Sequence, residues 1–319
     1  MVVWILFFCM IAVFLAVDLG IFNKNAHEIS YKEATKWTIV WSTIGILFSG
    51  VIYLIYANQW IEISLHTRSP FEASVQYLTG YIIELTLSVD NIFVIAIIFK
   101  SFRIPLKYQH RVLFWGILGA LVFRGIMIFF GVILIEKFEW TTYLFGAFLI
   151  FTAIKMAGSN EENEFDPKNS WINKVVRKII PVTSRIDNEK FLIRRNGLII
   201  ATPLLLALIL IEFTDILFAL DSIPAILGIT TDPFLVFTSN IFAILGLRSM
   251  YFFVANMLDS FHYLKYSLTV ILIYVGIKLM LANHYHLSIG LSLGIILISI
   301  GAGILFSLKY KREHPINNK

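Results

Sequence analysis

Two short phrases place acids where a bilayer would reject them. Residues 84–95 read ELTLSVDNIFVI, with Glu84 and Asp90 inside an apolar stretch from Tyr77 to Phe99. Residues 215–227 read DILFALDSIPAIL, nearly the same phrase: Asp215 answers Glu84, Asp221 answers Asp90, Ser222 answers Asn91 and Ile223 answers Ile92. With Glu212, five carboxylates lie on two apolar segments, and Asp18 is a sixth candidate near the end of the first. A carboxylate at membrane depth is costly unless something compensates it. Arg124 and Arg248 are the partners at hand, and five acids against two arginines leave an excess of negative charge. Cations, protons or both would relieve it.

The donor types select the chemistry. Carboxylates, Asn91, Ser222, Thr214 and backbone carbonyls are hard oxygen ligands, suited to Mg²⁺, Ca²⁺ or Mn²⁺. The seven histidines fall in loops, the tail or segment ends, and Cys9 is the only cysteine, so zinc or copper is a poor fit. Glu212 and Asp215 are i, i+3 and share a helix face. Glu84 and Asp90, like Asp215 and Asp221, are i, i+6 and point about 120° apart on an unbroken helix. Pro224 predicts a break that would free the Leu220 carbonyl beside Asp221; the first copy has Phe93 or Val94 there. Arg124 and Arg248 also admit a purely structural role as neutralising partners. Lys155 and Lys278, near segment ends, are predicted to snorkel. Asn240 can cap, pack or ligate.

The elements that must hold these residues are membrane helices. The chain has 319 residues, 58% hydrophobic and 15% charged, with mean hydropathy +0.79. That profile predicts an all-α polytopic membrane protein. Apolar runs of about 20 residues predict nine spans, at 2–22, 37–57, 73–99, 112–135, 141–157, 198–227, 234–257, 265–283 and 287–308. The first has no basic leader and is too long for a signal h-region, so it reads as a retained helix. With the N-terminus outside, twenty basic residues fall in inner segments and two, Arg68 and Lys137, in outer loops. This is a strong positive-inside signal, and it puts the C-terminus in the cytoplasm. The net charge of +5 reflects that loop bias and not nucleic-acid binding.

Three segments recur in order. Each acidic phrase is followed by an arginine segment (LVFRGIMIFF, LGLRSMYFF) and then by one carrying Ile-Lys (FLIFTAIKM, ILIYVGIKL). Three is odd and the 158–197 loop stays on one side, so the copies at 72–157 and 198–284 are inverted, as in many secondary transporters. Two further helices precede them in 1–71, and 285–319 holds a last helix and the tail. Within the loop, SWINKVVRKII sets Trp171, Val175 and Ile179 on one side and Lys174 and Lys178 on another. It reads as an interfacial helix or a solvated linker.

GYIIELTLSVDNIFV, IDNEKFLIRRNG, the run from ATPLLLALIL to GLRSMYF and the GIK at 276–278 together resemble the TerC family of bacterial integral membrane proteins, most closely its Alx branch. The likeness runs along nearly the whole chain. It implies the repeat plan of the lysine-exporter superfamily, the bacterial inner membrane and export of manganese. The cation path would be Glu84, Asp90, Glu212, Asp215 and Asp221, with Asn91 and Ser222 beside them. Mn²⁺ would be the transported ion, with no permanent cofactor. Proton exchange would relieve the acids when the metal is absent. Leu85 departs from the branch, where a lysine is more frequent. Other readings are a membrane partner that loads metal into secreted proteins, tellurium resistance, and an intramembrane aspartyl hydrolase. The last needs two carboxylates sharing one proton; five acids in an inverted repeat favour a transporter over an enzyme. The expected contacts are a divalent cation, lipid, and membrane-protein partners or further copies of the chain.

Overall fold

The structure is a computed structural model that describes residues 2–22, 30–61, 69–138, 140–158, 170–183, 185–186, 189–195, 198–255, 264–281 and 288–313. It is helical almost throughout. The helices are α1 (Val2–Phe22), α2 (Tyr31–Ala57), α3 (Pro70–Ser101), α4 (Leu106–Lys137), α5 (Trp140–Gly158), α6 (Trp171–Ile179), α7 (Pro203–Leu227), α8 (Pro233–Ala255), α9 (Leu264–Leu281) and α10 (Ile289–Glu313). The strands β1 (Leu192–Arg195) and β2 (Leu198–Ala201) pair antiparallel, with Leu192 opposite Ala201. Each expected span corresponds to one helix. Among the described residues seven helices are long and apolar enough to cross a bilayer, and α1 adds a shorter apolar run, Val2–Val17.

Local chemistry sets the helix starts. Ser69 and Ser30 accept the backbone N–H groups of Glu72 and Glu33, and Pro70 pre-sets the first turn of α3. Asp232 caps α8 through Phe234 N–H (3.0 Å), and its other oxygen accepts the buried Tyr56 hydroxyl (2.8 Å), pinning α2 to that helix start. Two expectations are corrected. The sixth span starts at Pro203 and not at 198, because 198–201 pair with β1 and leave the helix for the residue that cannot donate. Pro224 makes no break: α7 runs through it to Leu227. One proline so near the C-terminal end costs the helix one hydrogen bond without unwinding it.

The loop segment 171–179 is a helix. Ile172 and Asn173 are buried, whereas Trp171, Val175 and Ile179 form an exposed apolar stripe. Trp171 meets the Phe213 ring of α7 edge-on, and Arg111 of α4 pairs with Glu189 at 3.0 Å. The connector therefore lies against the N-terminal halves of α4 and α7.

Much of the packing among six helices survives exchange of α3–α5 with α7–α9. α3 lies on α8 as α7 lies on α4; α5 meets α7 as α9 meets α3; the pairs α3–α7, α4–α8 and α5–α9 map onto themselves. The α5–α9 pair is tight at Gly146 and Gly276. A Cβ at either would fall within 3 Å of the other's carbonyl oxygen, so only glycine allows this approach. Outside the six, α1 and α2 cover α8 with an aromatic layer of Phe7, Trp41, Phe48 and Phe242, and α10 covers α9 and α3.

Candidate functional site

The centre of the six helices is polar. Asn91 on α3 faces Asp215 on α7, and a Cβ at Gly80 would touch Ile226, so these two helices are antiparallel. In that register each carboxylate lies level with the small polar residue of the other repeat: Asp215 with Asn91, and Glu84 with Ser222. α4 and α8 are antiparallel too, since Arg124 reaches Asn240 and Ala120 packs with Ile244.

Arg124 joins everything. Its guanidinium donates to both oxygens of Asp215, Nη2 to Oδ1 at 2.8 Å and Nε to Oδ2 at 3.1 Å. Nη1 donates to Glu84 Oε1, to Asn240 Oδ1 at 2.9 Å and, more weakly, to Ser222 Oγ at 3.4 Å. Asn91 Nδ2 adds a bond to Asp215 Oδ1 at 2.9 Å. Arg124 and Glu84 are each 1% exposed and Asp215 is 5% exposed. A forked donor between two carboxylates is the strong geometry for such pairing, and burial makes every partner matter. One cation against two carboxylates still leaves this group one negative charge.

Several buried oxygens have no hydrogen-bond partner among the described residues: Glu84 Oε2, Ser88 Oγ and Asn91 Oδ1, besides Glu212 Oε2. Residues 84, 88 and 91 follow i, i+4, i+7 and line one stripe of α3. Glu212 lies one turn from Asp215 along α7. Its carboxylate fills the space that a Cβ at Gly119 would need, so glycine on α4 makes its slot.

The sequence-predicted residues thus separate. Glu84, Asn91, Asp215, Ser222, Arg124 and Asn240 meet. Asp221 does not join them; it is half-buried and accepts Thr152 Oγ1 of α5 at 3.0 Å. Arg248 is buried on α8, 1% exposed. The side chains of Asp18 and Asp90 lie outside the described residues. No three His, Cys, Asp or Glu side chains form a metal-holding group among the described residues. Asn240, whose role the sequence left open, is an acceptor for Arg124. Lys278 does not snorkel: it is 7% exposed and donates to Ser292 Oγ of α10 at 3.0 Å, while its counterpart Lys155 is exposed. Sequence reasoning missed Ser88, Thr152 and Gly119. Ser88 was readable from its helical spacing to Glu84; the other two carry no local signal.

The comparisons agree with this architecture. The sequence pattern described as "Integral membrane protein TerC family" matches residues 70–315. A membrane protein of Myxococcus xanthus is 44% identical, over 99% of this chain and 94% of its own. A protein of Escherichia coli (strain K12) called Alx, for which a role as a membrane-bound redox modulator is suggested, is 45% identical over 92% of this chain and 90% of its own. A membrane protein of Rickettsia felis is 43% identical, over 96% of this chain and 97% of its own. No solved structure matches.

Proposed function

The chain belongs to the TerC family of integral membrane proteins, and from that premise we propose that it exports a divalent cation, foremost Mn²⁺, across the bacterial inner membrane. One observation carries the reading. Repeat-equivalent carboxylates, Glu84 and Asp215, meet at the centre of two largely exchangeable three-helix units, beside buried oxygens that lack partners among the described residues. A protein whose acids served only to brace the fold would satisfy them. Partnerless hard oxygens favour a cation that comes and goes.

In this reading Glu84 and Asp215 are the central ligands, with Ser88 and Asn91 completing the shell. Glu212, toward the inner end of α7, receives the ion from the cytoplasm. Asp221 and Asp90 serve the steps on either side, and inverted units offer the centre to each face in turn. Proton return through the emptied carboxylates drives export. The N-terminus is outside and the connector around α6 is cytoplasmic, as the basic residues favour. The redox role suggested for Alx would follow from metal handling, since Cys9, this chain's one thiol, cannot form an internal disulfide.

The test is flux of Mn²⁺ into proteoliposomes holding the purified chain alone. Transport that Asp215→Asn and Asp221→Asn abolish supports the proposal. Flux no faster than in protein-free vesicles sinks it and leaves metal loading with a partner. Orientation is tested by single cysteines in a Cys9→Ser background. One at Thr231 should react with an impermeant thiol reagent on whole cells, and one at Ser170 should not.

A further inference from the structure

The central carboxylates already hold a cation, and it is part of the chain. The Arg124 guanidinium grips Asp215 with two nitrogens and Glu84 with a third contact, from the position an ion between the two acids would take. It is a monovalent cation on a tether, present at the site at an effective concentration no free ion need match. We propose that Arg124 is the selectivity element of the site: a resident competitor that divalent cations displace and monovalent cations do not. This rests on the reading of the acidic pair as a cation site.

Charge decides the competition. Na⁺ or K⁺ offers the two carboxylates the same charge as the guanidinium, without the forked donors and without the tether. It loses on both counts. A divalent ion doubles the attraction to each carboxylate at equal distance. It also gains ligands that the guanidinium leaves unused, because Glu84 Oε2, Ser88 Oγ and Asn91 Oδ1 have no other partner among the described residues. The displaced guanidinium keeps company. Asn240 Oδ1 and Ser222 Oγ already accept from Nη1 and carry no charge that the ion would need. A purely structural pin would not require an acceptor on a third helix, Asn240 of α8, with oxygens opposite that lack partners among the described residues. The arrangement resembles a lock whose key must bring more charge than the bolt.

The experiment measures Mn²⁺ binding to the full chain in lipid nanodiscs by calorimetry, with choline chloride replaced by NaCl at equal ionic strength. Wild-type affinity should not change. In Arg124→Gln the pair has lost its resident cation, Na⁺ should enter, and the swap should weaken apparent Mn²⁺ affinity about tenfold, or about 1.4 kcal/mol. Arg124→Lys keeps tether and charge but loses the fork, so it should show a smaller weakening. Should Arg124→Gln fail to fold, the lysine variant decides, and indifference to Na⁺ there overturns the proposal. So does Mn²⁺ binding by Arg124→Gln that ignores Na⁺, or wild-type binding that Na⁺ weakens. Absence of Mn²⁺ binding by wild type in either salt is a different failure, because it removes the cation site itself.

Discussion

Glu84 and Asp215 hold equivalent places in the two halves of the molecule, yet they are not equally held. Asp215 accepts two guanidinium bonds and an amide bond; Glu84 accepts at one oxygen and, among the described residues, leaves the other without a partner. The arginines differ likewise. Arg124 finds Asn240 on the helix opposite, whereas the residue that corresponds to Asn240 in the first half is Gly116, which offers Arg248 no side chain. Pro224 lies in α7 where α3 has Phe93, and Lys278 is buried where Lys155 is exposed. Among the described residues, a near-symmetric sequence therefore sets one arginine, Arg124, across Glu84 and Asp215. Two guanidinium groups cannot fill one position, so the exact twofold is broken at the centre, and the two lysines show it broken toward the helix ends as well.

The most damaging way to break the comparison is to remove the better-held acid. Asp215→Asn deprives Arg124 of its paired anion and leaves a buried guanidinium short of partners. Loss of one member of such a pair costs about 3–5 kcal/mol. Glu84→Gln keeps an acceptor for Nη1 and adds a donor beside unused oxygens, so about 1–2 kcal/mol is expected, near the worth of one hydrogen bond to a charged group. Unfolding of the two variants in one detergent should rank them in that order. Equal losses would mean that the two halves hold the arginine alike.

The next comparison sets Asn240 against Gly116. Asn240→Ala removes a neutral acceptor from a buried guanidinium, at about 1.5–3 kcal/mol. Gly116→Asn places in the first half the side chain that Asn240 provides in the second. Among the described residues a Cβ there meets Ile211 at 3.4 Å, an ordinary contact, and the change should stay within about 1 kcal/mol of wild type. A large loss from Gly116→Asn with none from Asn240→Ala would reverse the assignment of the two arginines.

How much of this was legible follows from what each feature depends on. Helix positions came from apolar run length, which the bilayer dictates, and the repeat from polar residues recurring in order on α3, α4 and α5. That acids of both halves meet an arginine followed from that repeat, although Asp221, expected with them, stands apart at Thr152. The supporting residues did not, because they act across helices. Gly119 matters only since Glu212 of α7 occupies its missing Cβ, and Thr152 only since α5 brings it to Asp221. The start of α7 was misplaced because Leu198–Ala201 is as apolar as a span, and only pairing with β1 marks it as strand. Pro224 was overread: a proline near a helix end costs one bond and does not force unwinding.

The smallest expected effect concerns the two lysines, and it has the opposite sign. Lys278 is 7% exposed, and among the described residues it donates to Ser292 Oγ, a neutral hydroxyl that also meets Tyr274 at 2.8 Å. An ammonium bonded to a neutral hydroxyl does not recover its desolvation, and well-packed apolar replacements of buried ions are often neutral or stabilising. Lys278→Met keeps the length of the chain and leaves Tyr274 and Ser292 bonded to each other. It should raise stability by about 1 kcal/mol. Lys155→Met, at the equivalent but exposed position on α5, should change it by less than about 0.5 kcal/mol. A clear loss in Lys278→Met would show that the buried ammonium is matched by an anion, and the two halves would then differ in how they neutralise this lysine and not in whether they do.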